Sequence, residues 1–319
     1  MKNLKTAGNI LMIFALFFVV RRLLKIDWSG IVTGKNLLRF VLYVLVYTLI
    51  VLVSFFPWRI LVGIFTGKGQ SLAKHDTVFC YVFTKANILK YVPGNVFQYV
   101  GRNEAAAILG LDHANVAMAT VSEVVLMAAA SALCSLLLIG PYTVQYLKEH
   151  IGNILLLGLA ALGLIVLAGF ILYKWKREKL LEYVRDYKAI LLKKETAVRL
   201  LGVFLIYFSI FLCIGLLFIA VMNLCGEVDL PLSGYGMVIG GFILSWLAGY
   251  ITPGAPGGIG VREMIMTVVF SGSTLVSSEM IVTASALYRV INILGDIAAF
   301  VIMLAVYHRY QKNRKQQAE

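Results

Sequence analysis

The segment TPGAPGGIG at residues 252–260 interrupts an apolar region that runs from Gly236 to Phe270. Proline cannot continue a helix and glycine permits positive φ angles, so the backbone must open at this point. Open backbone at membrane depth is tolerated only where it is buried in protein or lines a wet cavity. We therefore predict two helical pieces around a turn, which form either a re-entrant pair or two short crossings.

A second interruption lies earlier in the chain, within the apolar region Val78–Gly101. Here the residues YVPGN at 91–95 break a region that also contains Lys85 and Lys90. The same reasoning predicts a second broken element. The two lysines either help to draw a phosphate to the break or extend to the cytoplasmic interface.

The composition of the whole chain indicates a membrane protein. Of its 319 residues, 60% are hydrophobic and 14% are charged, whereas soluble proteins are about 45–50% apolar and about 25% charged. Six segments have the length of about 20 apolar residues that a spanning helix needs. They are Ala7–Leu24, Leu38–Phe56, Ala114–Ile139, Ile151–Tyr173, Leu200–Leu224 and Met280–Tyr307. We predict an all-α polytopic membrane protein, a single integral membrane domain over residues 1–319 with six full spans and two broken elements.

The basic residues predict the orientation of the chain. The net charge is +13, from 29 Lys and Arg against 16 Asp and Glu. The loop 174–199 holds nine basic and four acidic residues, and the tail 311–319 is also basic. Basic loops favour the cytoplasmic side, so both termini of this multi-pass protein are predicted to be cytoplasmic, in the cell membrane. Loop charge facing an anionic leaflet explains the excess without a nucleic-acid partner, although the basic residues between Arg21 and Arg39 do not fit this orientation.

A shift of about 160 residues brings the two interruptions and their neighbouring spans into register, which is typical of a repeat. Residues 1–145 and 146–310 then form two half-repeats with three full spans each. Because three is odd, the halves have opposite orientations. This pattern predicts an inverted-topology repeat with substrate bound between the broken elements near the midplane.

The residues around the interruptions are candidates for anion binding. The helical piece after each break presents free N–H groups, and Arg102 or Arg262 adds a planar donor fork suited to phosphate or carboxylate. Alternatively, proline and glycine only kink closely packed helices, and Arg262 and Glu263 are anchors at the membrane interface. The predicted cavity residues are Pro93, Gly94, Asn95, Gln98, Arg102, Glu104, Glu123, Thr252, Pro253, Gly254, Pro256, Gly257, Gly258, Arg262, Glu263 and Arg289.

Ionisable residues inside apolar helices should face the interior and find partners, because each costs at least about 2.5–3.5 kcal/mol in a span. Glu123 and Arg289 lie in corresponding helices of the two halves. We predict that they pair across the pseudo-twofold axis, either as a static ion pair or as part of a gate.

No catalytic residue, metal site or cofactor is predicted. The chain has no HExxH, GxxxxGK[ST] or GxSxG motif, and its four cysteines and four histidines are scattered. The GxxxG motif at Gly236 and Gly240 indicates local helix packing rather than dimerisation. The oligomeric state stays open.

Four features together resemble a known family. They are PGN at 93–95 leading to GR at 101–102, the intramembrane Glu123, the block TPGAPGGIGVRE at 252–263, and a late helix with Arg289. On these residues the chain resembles the lysylphosphatidylglycerol synthase transmembrane-region family, also called flippase-like. In that family the region is the membrane half of bifunctional proteins that make and translocate aminoacylated phosphatidylglycerol, and it also occurs alone beside cell-envelope glycolipid pathways.

The resemblance implies that the matching residues line a membrane cavity. The residues to which it assigns this role are Pro93, Gly94, Arg102, Glu123, Pro256, Gly257, Gly258, Arg262, Glu263 and Arg289. The soluble aminoacyltransferase domain of the bifunctional members has no counterpart in this sequence, so we expect no synthase activity.

The leading hypothesis is a flippase or translocase for an anionic phospholipid, an aminoacyl-lipid or a lipid-linked glycan. Its partners would be membrane lipids with anionic headgroups and a separately encoded lipid- or glycan-modifying enzyme. The alternatives are the membrane-embedded part of a lipid-modifying transferase and an ion-coupled transporter of a small anion.

Overall fold

The computed structural model of the chain describes residues 34–92, 97–139, 185, 187–252, 258, 260–270 and 276–316. Over these residues the structure is helical and contains no strand. The helices are α1 (Gly34–Val53), α2 (Phe55–Thr66), α3 (Gly69–Leu72), α4 (Asp76–Ile88), α5 (Phe97–Arg102), α6 (Glu104–Leu109), α7 (His113–Ile139), α8 (Lys194–Cys225), α9 (Leu232–Ile251), α10 (Val261–Phe270) and α11 (Ser278–Gln316). Short 3-10 turns at Ala73–His75 and Leu89–Tyr91 flank α4.

Five segments within the described ranges are long and apolar enough to cross a membrane. They are Gly34–Thr66, His113–Ile139, Lys194–Cys225, Leu232–Ile251 and Glu279–Arg314. Four of them contain the predicted spans at 38–56, 114–139, 200–224 and 280–307. The other two predicted spans, Ala7–Leu24 and Ile151–Tyr173, lie outside the described residues. The architecture is that of a membrane-embedded helical protein.

The second interrupted region differs from its prediction. Its first piece, α9, has 20 residues and is a full-length candidate span, whereas α10 has only 10 residues. Two helical pieces flank the break as predicted, but α9 is longer than a short crossing and begins directly after Pro231, four residues before the predicted start at Gly236. Proline is tolerated at this point because the first N–H groups of a helix have no partner within the helix.

The first interrupted region consists of shorter helices. Helix α4 has 13 residues and α5 has 6 residues. Among the described residues, neither helix is part of a segment that is long and apolar enough to cross a membrane. The two regions thus share an interruption but not the lengths of their helices.

The first long segment is interrupted at Ser54, between α1 and α2. Pro57 lies in the first turn of α2, where its ring conflicts with the carbonyl of Val53, the last residue of α1. The hydroxyl of Ser54 donates to the carbonyl of Ile50 at 2.6 Å. Helix α2 ends at Gly67, whose φ of +66° is the left-handed conformation common at helix ends.

Helix α8 lies at the centre of the bundle. It packs against α1, α2, α7, α9 and α11. Its aromatic side chains Tyr207, Phe211 and Phe218 are fully buried. Phe218 stacks on Phe242 of α9 with 4.3 Å between the ring centroids. Large buried rings on one helix therefore join the long helices into a single core.

The GxxxG motif of α9 packs against α7 within the chain. A Cβ on Gly236 would lie 2.9 Å from the carbonyl oxygen of Leu138, and one on Gly240 would lie 3.1 Å from that of Ser135. The hydroxyl of Ser135 also donates to the carbonyl of Gly240 at 3.0 Å. The interpretation of this motif as local packing is confirmed.

We expect Gly240→Leu to lower the free energy of unfolding by about 1–3 kcal/mol, because the added side chain must push the α7 backbone away. Thermal unfolding in detergent measures the change. The control is Gly202→Leu, since a Cβ at Gly202 of α8 meets no atom within 4 Å. Equal losses in both variants would contradict close packing at Gly240.

Candidate functional site

A cavity lies between the long helices and the two interrupted regions. Its volume is about 130 Å³, enough for several water molecules. Its walls come from α1, α4, α5, α7, α8, α9, α10 and α11, together with Lys90 from the turn after α4. It is lined by Tyr47, Ile50, Val51, Ser54, Phe83, Asn87, Lys90, Gln98, Tyr99, Arg102, Glu123, Met127, Tyr207, Ile210, Phe211, Ile214, Trp246, Gly249, Tyr250, Arg262, Tyr288 and Asn292.

The first charged group of the cavity is a buried ion pair between Arg102 and Glu123. Arg102 is the last residue of α5, and its Nη1 contacts Oε2 of Glu123 on α7. The hydroxyl of Tyr207 donates to Oε1 of Glu123 at 2.5 Å. The Arg102 guanidinium carbon also lies 4.5 Å from the ring centroid of Phe83. The charges of Arg102 and Glu123 cancel. Contacts with Tyr207 and Phe83 hold the two side chains in place.

Arg262 reaches the cavity through a gap left by two glycines. Gly258 has a φ of +73°, and a Cβ there would lie 2.7 Å from Nε of Arg262. A Cβ on Gly249 of α9 would lie 2.8 Å from Cγ of Arg262. Any larger residue at either position would occupy the path of the arginine side chain. Gly258 therefore both adopts a left-handed backbone conformation and, together with Gly249, makes room for Arg262.

Arg262 differs from the other described cations of the cavity in its partners. Its guanidinium carbon lies 5.6 Å from the ring centroid of Trp246, a distance typical of a cation–π contact. Among the ion pairs of the described residues, none includes Arg262. Its Nε is buried and has no hydrogen-bond partner there. Among the described residues, the guanidinium of Arg262 therefore lies against the ring of Trp246 and forms no ion pair with a carboxylate.

A second buried carboxylate, Asp296 of α11, lies beside the cavity. It forms an ion pair with Lys90 at 2.6 Å between Nζ and Oδ2. Tyr91 donates to the same oxygen at 2.6 Å, and Asn87 donates to Oδ1 at 2.7 Å. The Asp296 side chain is fully buried, whereas Lys90 and Asn87 line the cavity. One face of the cavity is therefore formed by groups that also hold a buried carboxylate.

The predicted ion pair between Glu123 and Arg289 is wrong. Arg289 instead pairs with Glu263, at 2.6 Å from Nε to Oε1 and 2.7 Å from Nη2 to Oε2. It also donates to the carbonyl of Gly258 at 3.2 Å, while Glu263 accepts the N–H of Gly260 at 2.9 Å. Each predicted partner is taken by a nearer residue of its own half of the chain, so neither charge remains for the other.

The remaining predicted residues fall into three groups. Gln98 lines the cavity with Arg102, Glu123 and Arg262. Glu104 pairs with Lys85 at 2.9 Å, and the hydroxyl of Thr252 donates to the carbonyl of Ala248. The predicted residues Pro93, Gly94, Asn95, Pro253, Gly254, Pro256 and Gly257 lie outside the described residues.

Aromatic residues were missed as cavity residues by the sequence analysis. Tyr47, Tyr207 and Trp246 line the cavity from three different helices. Trp246 stacks on Tyr250 at 4.7 Å, which extends the aromatic wall. Tyrosine and tryptophan in membrane proteins concentrate at the two interfaces, so their position in the middle of apolar helices is the signal that could have identified them.

The described residues give the cavity an excess positive charge. Arg102, Arg262 and Lys90 line it, and the carboxylates paired with them are Glu123 and Asp296. Within the described part of the chain, these three cations exceed the two carboxylates by one, and Arg262 is the cation without a carboxylate in an ion pair. A cation without a carboxylate is costly at membrane depth, so an anion entering the cavity is favoured. Among the described residues, no group of His, Cys, Asp and Glu could hold a metal ion.

Comparison with known proteins adds no further constraint. No family model, no curated protein and no solved structure matches this chain.

Proposed function

We propose that this chain is a translocase for a lipid with an anionic headgroup in the cell envelope. The observation that carries the proposal is Arg262, a guanidinium that lines an intramembrane cavity and has no carboxylate partner among the described residues. Arginine presents a planar donor fork that matches the oxygens of a phosphate. The headgroup phosphate would therefore take the place beside Arg262.

The size and walls of the cavity favour the headgroup over the whole lipid. The volume of about 130 Å³ is below the roughly 300–1,000 Å³ of pockets that enclose a drug-sized ligand. The acyl chains would stay in the surrounding bilayer, which they match in polarity. Tyr47, Tyr99 and Tyr288 line the same space, and their hydroxyls would serve the sugar, glycerol or aminoacyl part of the headgroup.

An inverted repeat would supply the movement. In each half, an ion pair joins the short helix after the interruption to the next long helix, as Arg102 to Glu123 and Glu263 to Arg289. This parallel supports the proposed half-repeats, 1–145 and 146–310. Rocking of two such halves about a site near the midplane would expose the headgroup to each leaflet in turn.

The resemblance to the lysylphosphatidylglycerol synthase transmembrane-region family agrees with this function. The proposed orientation has both termini in the cytoplasm, because the basic loop and tail favour that side. A separately encoded enzyme that modifies lipids or glycans would supply or consume the translocated lipid.

A small-anion transporter is the second candidate, and the small volume of the cavity favours it. The two functions share the chemistry of a phosphate or carboxylate at Arg262. They differ in whether the bound group is attached to acyl chains.

Reconstitution into vesicles tests the proposal. Fluorescent phosphatidylglycerol is placed in both leaflets, and a membrane-impermeant quencher measures the fraction that reaches the outer leaflet with time. We expect the protein to accelerate this exchange, whereas fluorescent phosphatidylcholine, which has no net charge, should move no faster than in protein-free vesicles. Uptake of radiolabelled inorganic phosphate without lipid movement would favour the small-anion transporter, and no movement of either would contradict both functions.

A further inference from the structure

The cluster around Asp296 suggests how movement of an anion is coupled to energy. Asp296 accepts hydrogen bonds from Asn87 and Tyr91 and forms an ion pair with Lys90. All three residues belong to α4 or to the turn that follows it. Arg262 of α10, Tyr47 of α1 and Tyr288 of α11 also interact with it electrostatically. The carboxylate thus interacts with two of the cations that line the cavity, Lys90 and Arg262.

The two cations near Asp296 are also the ones that an anion in the cavity would contact. Lys90 and Arg262 both line the cavity, and the Lys90 side chain is 19% exposed. An anion bound between them would compete with Asp296 for the Lys90 ammonium and would neutralise Arg262. Asp296 itself is fully buried, so water cannot solvate its carboxylate in place of Lys90.

A buried carboxylate that loses its cation becomes neutral rather than staying charged, because the cost of an isolated buried charge exceeds that of binding a proton. We propose that this chain couples entry of the anion to uptake of one proton by Asp296. This inference rests on the proposed function, since it takes the anion at Arg262 as given.

The exchange balances in charge and atoms. In the empty state the Lys90 ammonium and the Asp296 carboxylate neutralise one another. In the occupied state the ammonium faces the anion, and a proton from solution is bonded to Oδ2 of Asp296, the oxygen that Lys90 leaves. Asn87 continues to donate to Oδ1. One negative charge and one positive charge have entered together, so occupation adds no net charge to the membrane interior.

Proton uptake on binding is measurable without any transport. The purified full-length chain in detergent is titrated with dihexanoyl-phosphatidylglycerol near pH 7 by calorimetry, in two buffers that differ in ionisation enthalpy. The dependence of the binding enthalpy on the buffer gives the number of protons taken up, which we expect to be about one per lipid. Inorganic phosphate in place of the lipid separates binding of a free anion from binding of a lipid headgroup.

Two variants identify the proton acceptor. Asp296→Asn removes the group that takes the proton, and Lys90→Met leaves Asp296 without its cation before the lipid arrives. We expect both variants to bind phosphatidylglycerol with no proton uptake, whereas Glu195→Gln, an exposed residue of α8, should keep the full uptake. Should Asp296→Asn fail to fold, Lys90→Met alone decides the question.

The outcomes separate the inference from the proposed function. Binding without proton uptake by the unmodified chain, or unchanged uptake in both variants, would overturn the coupling and leave the translocase intact. If the unmodified chain bound neither phosphatidylglycerol nor inorganic phosphate, the anion site at Arg262 would be overturned, and the coupling with it.

Discussion

Arg262→Ala should weaken binding of phosphatidylglycerol by roughly 10- to 100-fold, since a hydrogen bond to a charged group contributes about 1.5–3 kcal/mol. The guanidinium lines the cavity and has no carboxylate partner among the described residues, so its removal leaves no unpaired acid behind. The exchange of fluorescent phosphatidylglycerol between leaflets should slow by a similar factor. Calorimetric titration and the vesicle assay measure the two effects.

Two further variants separate charge from geometry at Arg262. Arg262→Lys keeps the charge but loses the planar fork, so its affinity should lie between those of the unmodified chain and Arg262→Ala. Arg314→Ala removes a cation of the exposed end of α11 and should leave binding unchanged. Equal affinities for Arg262→Ala and Arg314→Ala would show that Arg262 does not bind the anion.

Glu123→Ala should lower the free energy of unfolding by about 3–5 kcal/mol, because it leaves the buried guanidinium of Arg102 without its counter-charge. The side chain of Arg102 is 5% exposed and that of Glu123 is 1% exposed, so water cannot replace the lost partner. Tyr207 also loses the acceptor of its 2.5 Å hydrogen bond. Thermal or chemical unfolding in detergent measures the loss.

The double variant Arg102→Met with Glu123→Gln tests the cause of this loss. Removing both charges should recover a large part of the stability, since a neutral, well-packed pair has no buried charge to solvate. Glu195→Gln is the control, and its loss should stay below about 1 kcal/mol because the residue is exposed in the first turn of α8. A double variant as unstable as Glu123→Ala would refute the account based on an unpaired charge.

The four predicted spans that lie in the described residues agree with the helices because each contains enough apolar residues to cross a bilayer, whatever its neighbours are. The limits of helices were less predictable. Helix α9 begins at Leu232, four residues before the predicted start at Gly236, since Pro231 can precede a first turn. Helix α2 extends the first long segment to Thr66, past the interruption at Ser54.

The candidate site was only partly predictable. Arg102, Glu123 and Arg262 stood out because charged residues in apolar regions are rare, and all three line the cavity. Their partners did not follow from the sequence. Glu123 and Arg289 were matched by their places in the two halves, yet each pairs with a residue of its own half.

The sequence alone was sufficient to predict a helical membrane protein and to identify three charged residues that line its cavity, Arg102, Glu123 and Arg262. Hydropathy and the exclusion of charge from lipid are properties of each segment by itself, so no knowledge of the fold was needed. Partner choice depends instead on how helices are rotated and how closely they approach. Only the packed structure, in which Gly249 and Gly258 leave room for Arg262 and Lys90 pairs with Asp296, decided which of the described charges form ion pairs.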